Sequence, residues 1–131
     1  MTDNELIEQA KKARQSSYSP YSNFAVGAAL LSDDGQVFLG CNVENASYGL
    51  TNCAERTAIF KAVSEGKHQF KKLVIIGDTV GPISPCGACR QVINEFCAPD
   101  MPILMVNLKG DVVQTSIGEL LPYSFGPSDL A

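Results

Sequence analysis

Positive charge is scarce in this sequence. Ten Lys and Arg residues stand against fourteen Asp and Glu, giving a net charge of −4 over 131 residues. A polyanion as principal partner is therefore disfavoured, because nucleic-acid binding draws on a basic surface, and no basic strip interrupts the acidic balance. Charge alone leaves a single nucleoside or nucleotide open. Long apolar runs are missing too: the longest, Phe24 to Leu31, falls far short of the ~20 residues that span a bilayer. The residues after Met1, Thr2-Asp3-Asn4-Glu5, are acidic where a secretory leader is basic and then apolar. The expectation is a cytoplasmic protein with no membrane partner. Histidine is nearly absent, and the one copy, His68, reads as a solvated loop residue. No repeat, low-complexity tract or linker divides the chain, so a single domain over residues 1–131 is expected. A chain of this size buries roughly two thirds of its unfolded surface and needs no disulfide staple. With 45% hydrophobic and 18% charged residues, its composition excludes disorder as the main state.

Against these absences stand five cysteines. An odd number cannot all pair internally, and in a reduced compartment a cysteine cluster points to metal, redox chemistry or catalysis. The elements that carry them follow from pattern. Thr2 with Glu5 makes a capping box ahead of a stripe of Leu6, Ile7, Ala10 and Ala13, which predicts a first helix. Phe24 to Ser32 reads as a buried strand, Asp33-Asp34-Gly35 as a hairpin turn and Gln36 to Cys41 as the returning strand. After an irregular, polar stretch from Asn42 to Asn52, a second helix is expected from near Cys53 to Glu65, stopped by Gly66. Lys71 to Asp78 predicts a strand, Cys86 to Cys97 a third helix, Ile103 to Leu108 and Val112 to Thr115 two more strands, and Ile117 to Leu121 a helical turn. The order predicts an α/β fold, a three-layer α/β/α domain with a mixed five-stranded sheet. Its two strand–loop–helix units are expected side by side and parallel.

Pro85-Cys86-Gly87-Ala88-Cys89 places two sulfurs about one turn apart on the same side of a helix start. The unpaired N–H groups there favour thiolate, and two thiolates suit zinc. The spacing alone leaves a thioredoxin-like redox pair open. Cys53-Ala54-Glu55 opens the preceding helix. Residues two apart point roughly 200° apart mid-helix, but in an open first turn both Cys53 and Glu55 reach round the end. A third thiolate leaves zinc one open position, and an unliganded carboxylate beside it is a hydrolytic arrangement. A structural zinc or dithiol module would instead need a fourth ligand, with Cys41 the candidate, and would leave Glu55 without a task.

Cys-x-Glu followed by Pro-Cys-x-x-Cys resembles the signature of the zinc nucleoside deaminases. The segments Gly40 to Tyr48, Asn52 to Arg56, Ser84 to Gln91 and Leu121 to Gly126 resemble the short-chain, three-cysteine cytidine deaminases in particular. The resemblance covers essentially the whole chain. It implies a cytidine deaminase-like fold and hydrolytic deamination of cytidine and deoxycytidine to the uridine forms with release of ammonia, a reaction of pyrimidine salvage. It implies one zinc per subunit on Cys53, Cys86 and Cys89, Glu55 as the proton-moving group, and Arg56 donating to the cysteine sulfurs. The backbones of Ala54 and Cys86 would meet the base. Asn42 and Glu44, two apart and facing the same way if extended, would meet the ribose hydroxyls. Phe24 is either core or packed against the nucleoside. Tyr48 and Phe125 would act near a neighbouring subunit's site in a homotetramer. Cys41 and Cys97 read as core. A deaminase of a cytosine-nucleoside antibiotic shares length and zinc motif; Asn42-Val43-Glu44 and the Phe125 tail favour the ordinary nucleoside.

Overall fold

Thr2 begins the first helix as its side chain dictates. In the structure, a computed structural model describing residues 1–131, Thr2 Oγ1 accepts from the Glu5 amide at 3.2 Å and Glu5 Oε1 accepts from the Thr2 amide at 3.1 Å. Two orphan donors of α1 (Asp3–Arg14) are thereby satisfied. Four further segments alternate in chain order: β1 (Val26–Ser32), β2 (Val37–Cys41), α2 (Ala54–Ser64) and β3 (Phe70–Gly77). Then come α3 (Gly87–Phe96), β4 (Ile103–Asn107), β5 (Val112–Thr115) and the single turn α4 (Ile117–Leu120). Two short 3₁₀ turns, Tyr48–Leu50 and Pro127–Asp129, carry no buried residue and gave no apolar period to read.

The five strands form one mixed sheet in the order β2-β1-β3-β4-β5. β1 is antiparallel to both neighbours, β3 and β4 are parallel, and β5 returns antiparallel. The two strand–loop–helix units are therefore not side by side as expected: β1 stands between β2 and β3. Burial explains why. Residues Val26–Leu30 of β1 are all buried, which demands a partner on each side, whereas β2 alternates buried with half-buried positions and suits an edge. Being antiparallel to the same strand, β2 and β3 still run the same way, so the chain leaves both at one end of the sheet.

α1 covers one face, with Leu6 and Ala10 against Ala29, Val74, Ile76 and Leu104. α2, α3 and α4 cover the other, with Ala58, Ile59, Ile93 and Ile117 against Ala28, Leu30, Leu73 and Ile75. α2 lies unusually close to the sheet because Gly40 has no side chain: a Cβ there would fall 2.3 Å from the Ala54 carbonyl oxygen. The first strand also begins later than the sequence implies. Asn23 takes a left-handed φ of 56°, and the Asn42 side chain replaces the ladder ahead of Val26. Its Nδ2 donates to the Phe24 carbonyl at 2.7 Å and its Oδ1 accepts from the Val26 amide at 2.9 Å. Phe24 is thus outside β1, and at 38% exposure it is not core. Cys97 is buried as expected, but Cys41 is only half-buried, because the β2 edge has no strand beyond it.

Candidate active site

The N-termini of α2 and α3 meet at the sheet end where β2 and β3 finish. Cys53 caps α2 and Cys86 caps α3, both with extended backbone (ψ 160° and 168°), and neither side chain makes a capping bond. Both sulfurs are therefore free to face each other, 3.6 Å apart. Cys89, one turn into α3, is fully buried behind them, and all three Sγ atoms lie within 4.8 Å of one another. Tetrahedral zinc at ~2.3 Å from each thiolate needs sulfurs about 3.8 Å apart, so this donor set fits a zinc ion with one position left open. Cys41 is not in the cluster, which removes the fourth ligand that a closed structural site requires.

Charge around the sulfurs is prepared for a cation. Arg56 Nη2 donates to Cys53 Sγ at 3.4 Å, and its buried Nε has no partner. A hydrogen bond from the Cys89 thiol, helped by Arg56, pulls Cys53 down to about 5, while the same contact and burial push Cys89 up. A divalent cation bound here would favour the thiolate form of its cysteine ligands.

Glu55 lies outside the three-sulfur cluster but lines the same cleft, of about 190 Å³, with Cys53 and Cys86. Only 4% of it is exposed. Burial, reinforced by the neighbouring Cys53 charge, pushes its carboxyl up to about 7. Such a group takes up and releases a proton near neutrality. Phe24, Asn42, Glu44 and Ala54 line this cleft too. Tyr21 and Ser22 amides donate to Glu44 Oε1 at 2.9 and 3.1 Å, and the Ser22 hydroxyl donates to Oε2. These bonds, the Ser22 hydroxyl first, hold Glu44 below the usual carboxylate range. Asn42 faces the cleft with its amide largely spent, since the Ser17 hydroxyl also donates to its Oδ1.

A wider cleft of about 390 Å³ shares Ser22, Glu44 and Thr51 with this one, and there Tyr48 and Tyr21 stand with ring centroids 5.9 Å apart. Phe125 lines neither cleft. Sequence reasoning did not single out Ser22, Thr51 or Ser84. Each is a small polar residue in an irregular segment, and only the fold brings Ser22 to Glu44 and Ser84 to the metal end.

Comparison with known proteins bears on the same residues. The pattern of the family described as the cytidine and deoxycytidylate deaminase zinc-binding region matches residues 1–105. The chain belongs to the cytidine and deoxycytidylate deaminase family. Among members of the family, a cytidine deaminase of Sporosarcina psychrophila is 56% identical over 131 residues, covering 100% of this chain and 96% of that one. A cytidine deaminase of Halalkalibacterium halodurans is 53% identical over 125 residues, 95% of each chain. The crystal structure of cytidine deaminase from Burkholderia pseudomallei superposes with a TM-score of 0.94 at 57% identity, covering 95% of this chain and 100% of that chain. A blasticidin-S deaminase of Bacillus cereus, a deaminase of different substrate, is more distant at 32% over 94% of this chain and 91% of its own length.

Proposed function

We propose that this chain is a zinc-dependent cytidine deaminase that hydrolyses cytidine and deoxycytidine to uridine and deoxyuridine with release of ammonia. The observation that carries the reading is a buried carboxyl, Glu55, sharing one cleft with Cys53 and Cys86 of a three-sulfur cluster that would leave a metal one position open. Zinc held by Cys53, Cys86 and Cys89 would lower the pKa of a water molecule to near neutrality. Glu55 would accept one proton from the attacking water and give it to N3 of the pyrimidine, then take the second proton of that oxygen and give it to the departing amine, so that ammonia leaves and a carbonyl remains at C4. Arg56 offsets the excess negative charge of three thiolates. The backbones of Ala54 and Cys86 orient the base, and Phe24, at the cleft wall, packs against the nucleoside. Glu44 is fixed as an ionised acceptor for the sugar hydroxyls, and Asn42 keeps one N–H for the same task while its other contacts hold the wall in shape.

Two further features belong to this reading: a homotetramer with one zinc per subunit and sites completed by a neighbour's Tyr48 and Phe125, and a cytoplasmic role in pyrimidine salvage. No helix is long and apolar enough to cross a membrane. The direct test follows ammonia release from cytidine with and without a strong zinc chelator. Turnover is expected with cytidine and deoxycytidine, lost with chelator and restored by zinc. The monophosphate should be poor or inert, because Glu44 and the net charge of −4 both oppose a phosphate. Chelator-resistant turnover would overturn the metal reading, and comparable rates on the monophosphate would overturn the sugar pocket.

A further inference from the structure

The loop that delivers Cys86 has no backbone scaffold of its own. Residues 78–85, between β3 and α3, take part in no backbone–backbone hydrogen bond. Two side chains from elsewhere hold it instead. At its start, buried Asn107 Nδ2 donates to the Thr79 and Val80 carbonyls, both at 3.1 Å. At its end, Arg90 makes three contacts in three directions. Its Nε donates to the Pro85 carbonyl at 2.8 Å, Nη2 to Ser84 Oγ at 2.7 Å and Nη1 to the Leu120 carbonyl at 2.8 Å.

We propose that Arg90 is a positioning residue for the metal site, its guanidinium pinning the Ser84-Pro85 segment to the end of α4 so that Cys86 is held on the Cys53–Cys89 pair. The proposal rests on reading these cysteines as the zinc ligands. Cys53 and Cys89 have other support: one sits on α2 against the sheet, the other is fully buried in α3. Cys86 is exposed, makes no cap bond and follows directly on the unscaffolded loop. It is the ligand with least to hold it, and Arg90 grips the residue immediately before it. A planar fork with donors on several edges meets three separated acceptors at once, which a lysine ammonium on a flexible stem does not. Loosening that segment frees one thiolate of three, so metal should leave faster while the fold stays intact.

The test is zinc release from the purified holoenzyme to a chelating indicator dye, with amide hydrogen exchange on the same samples. Arg90→Met keeps the aliphatic stem and loses the three bonds. Its zinc should leave at least about tenfold faster than from the parent, a typical consequence of removing a group that orients a metal ligand. Exchange should rise in the first turn of α3, where the amide of residue 90 donates to the Cys86 carbonyl at 2.9 Å, and stay unchanged in α1 and β1. Arg90→Lys should fall between the two, and it carries the test if the methionine variant fails to fold. Ile7→Ala, in α1 on the opposite face of the sheet, should lower Tm without changing zinc release. Release from Arg90→Met within about twofold of the parent overturns the role of Arg90 alone, as does equally fast release from Ile7→Ala at matched Tm. A parent without zinc overturns the metal reading and this proposal together.

Discussion

At the scale of single residues, the site turns on what burial does to one carboxyl. Glu55 is not a member of the sulfur cluster, so replacing it should leave zinc in place. Glu55→Gln preserves shape and removes the proton carrier. The expected result is a folded, zinc-loaded protein that has lost at least the ~10²–10⁴-fold that a positioned acid–base group supplies. Activity within about tenfold of the parent, at equal zinc content, would reassign the role. A buried thiol reports on the core. Burial pushes Cys97 up to about 12 from 9.0. Between those values the unfolded thiol ionises while the folded one keeps its proton, so the stabilising effect is full below pH 9 and is lost as pH rises. The slope is about 1.4 kcal/mol per pH unit at most. Urea unfolding in reductant from pH 8.5 to 10.5 should therefore show a steeper loss for the parent than for Cys97→Ala; identical slopes would show that Cys97 ionises as easily folded as unfolded. The chemistry-bearing residues were legible before the structure because helix starts advertise themselves. Cys53 and Cys86 precede apolar helical stripes, and the caps fall where those stripes begin. Arg90's three-way contact was not legible, since its partners lie 5, 6 and 30 residues away and none has a sequence signal.

At the scale of elements, two glycines decide how closely helices lie on the sheet, and only one of those helices carries ligands. A Cβ on Gly40 would sit 2.3 Å from the Ala54 oxygen and 2.6 Å from the Ala58 nitrogen; one on Gly27 would sit 2.1 Å from the Ala10 oxygen. All three are backbone atoms of packed helices, so each helix must move outward. Gly40→Ala and Gly27→Ala should each cost at least about 1–3 kcal/mol, the usual range for overpacking. The functional consequences should differ. Gly40→Ala displaces the start of α2, which holds Cys53 and Glu55, and should weaken zinc retention and turnover in whatever protein folds. Gly27→Ala displaces α1, which carries no site residue, and should spare both. Equal zinc loss in the two variants, measured per folded protein, would mean that α2 does not position the site independently. Element type and length were legible from the 3.6- and 2-residue periods. Neighbourhood was not: the Asp33-Asp34-Gly35 turn fixes β1 beside β2, but the pairing of β1 with β3 is a long-range choice made by burial on both faces of β1. Phe24 shows the same limit locally, an apolar residue before an apolar run that the Asn42 side chain keeps out of the ladder.

At the scale of the whole molecule, the question is what the exposed aromatics around the site are for. Tyr48 is 75% exposed on the outer cleft, and Phe125 is 59% exposed on the tail. Phe125 does not fold back onto its own sheet. Its backbone is nevertheless fixed, because its carbonyl accepts from Gln91 Nε2 at 2.8 Å and from Asn94 Nδ2 at 3.3 Å. An aromatic ring presented outward from an anchored backbone leaves apolar area in water unless another surface covers it. The proposed cover is a neighbouring subunit's nucleoside site, in a homotetramer whose subunit number rests on the resemblance to the short-chain deaminases. Light scattering at working concentration should therefore report four subunits, and Phe125→Ala should show a clear loss of cytidine turnover with its zinc retained. Subunit exchange then separates a shared site from a private one. Phe125→Ala subunits lack the ring and Glu55→Gln subunits lack the proton carrier, so each homotetramer is deficient. In mixed tetramers some sites combine an intact Glu55 with a neighbour's intact Phe125, and activity should rise above the sum of the two parents. A private site cannot gain from mixing, because no subunit carries both groups. Proven exchange without recovery, or full activity in a monomer, would sink the shared site and leave Phe125 as a ring that merely caps its own tail.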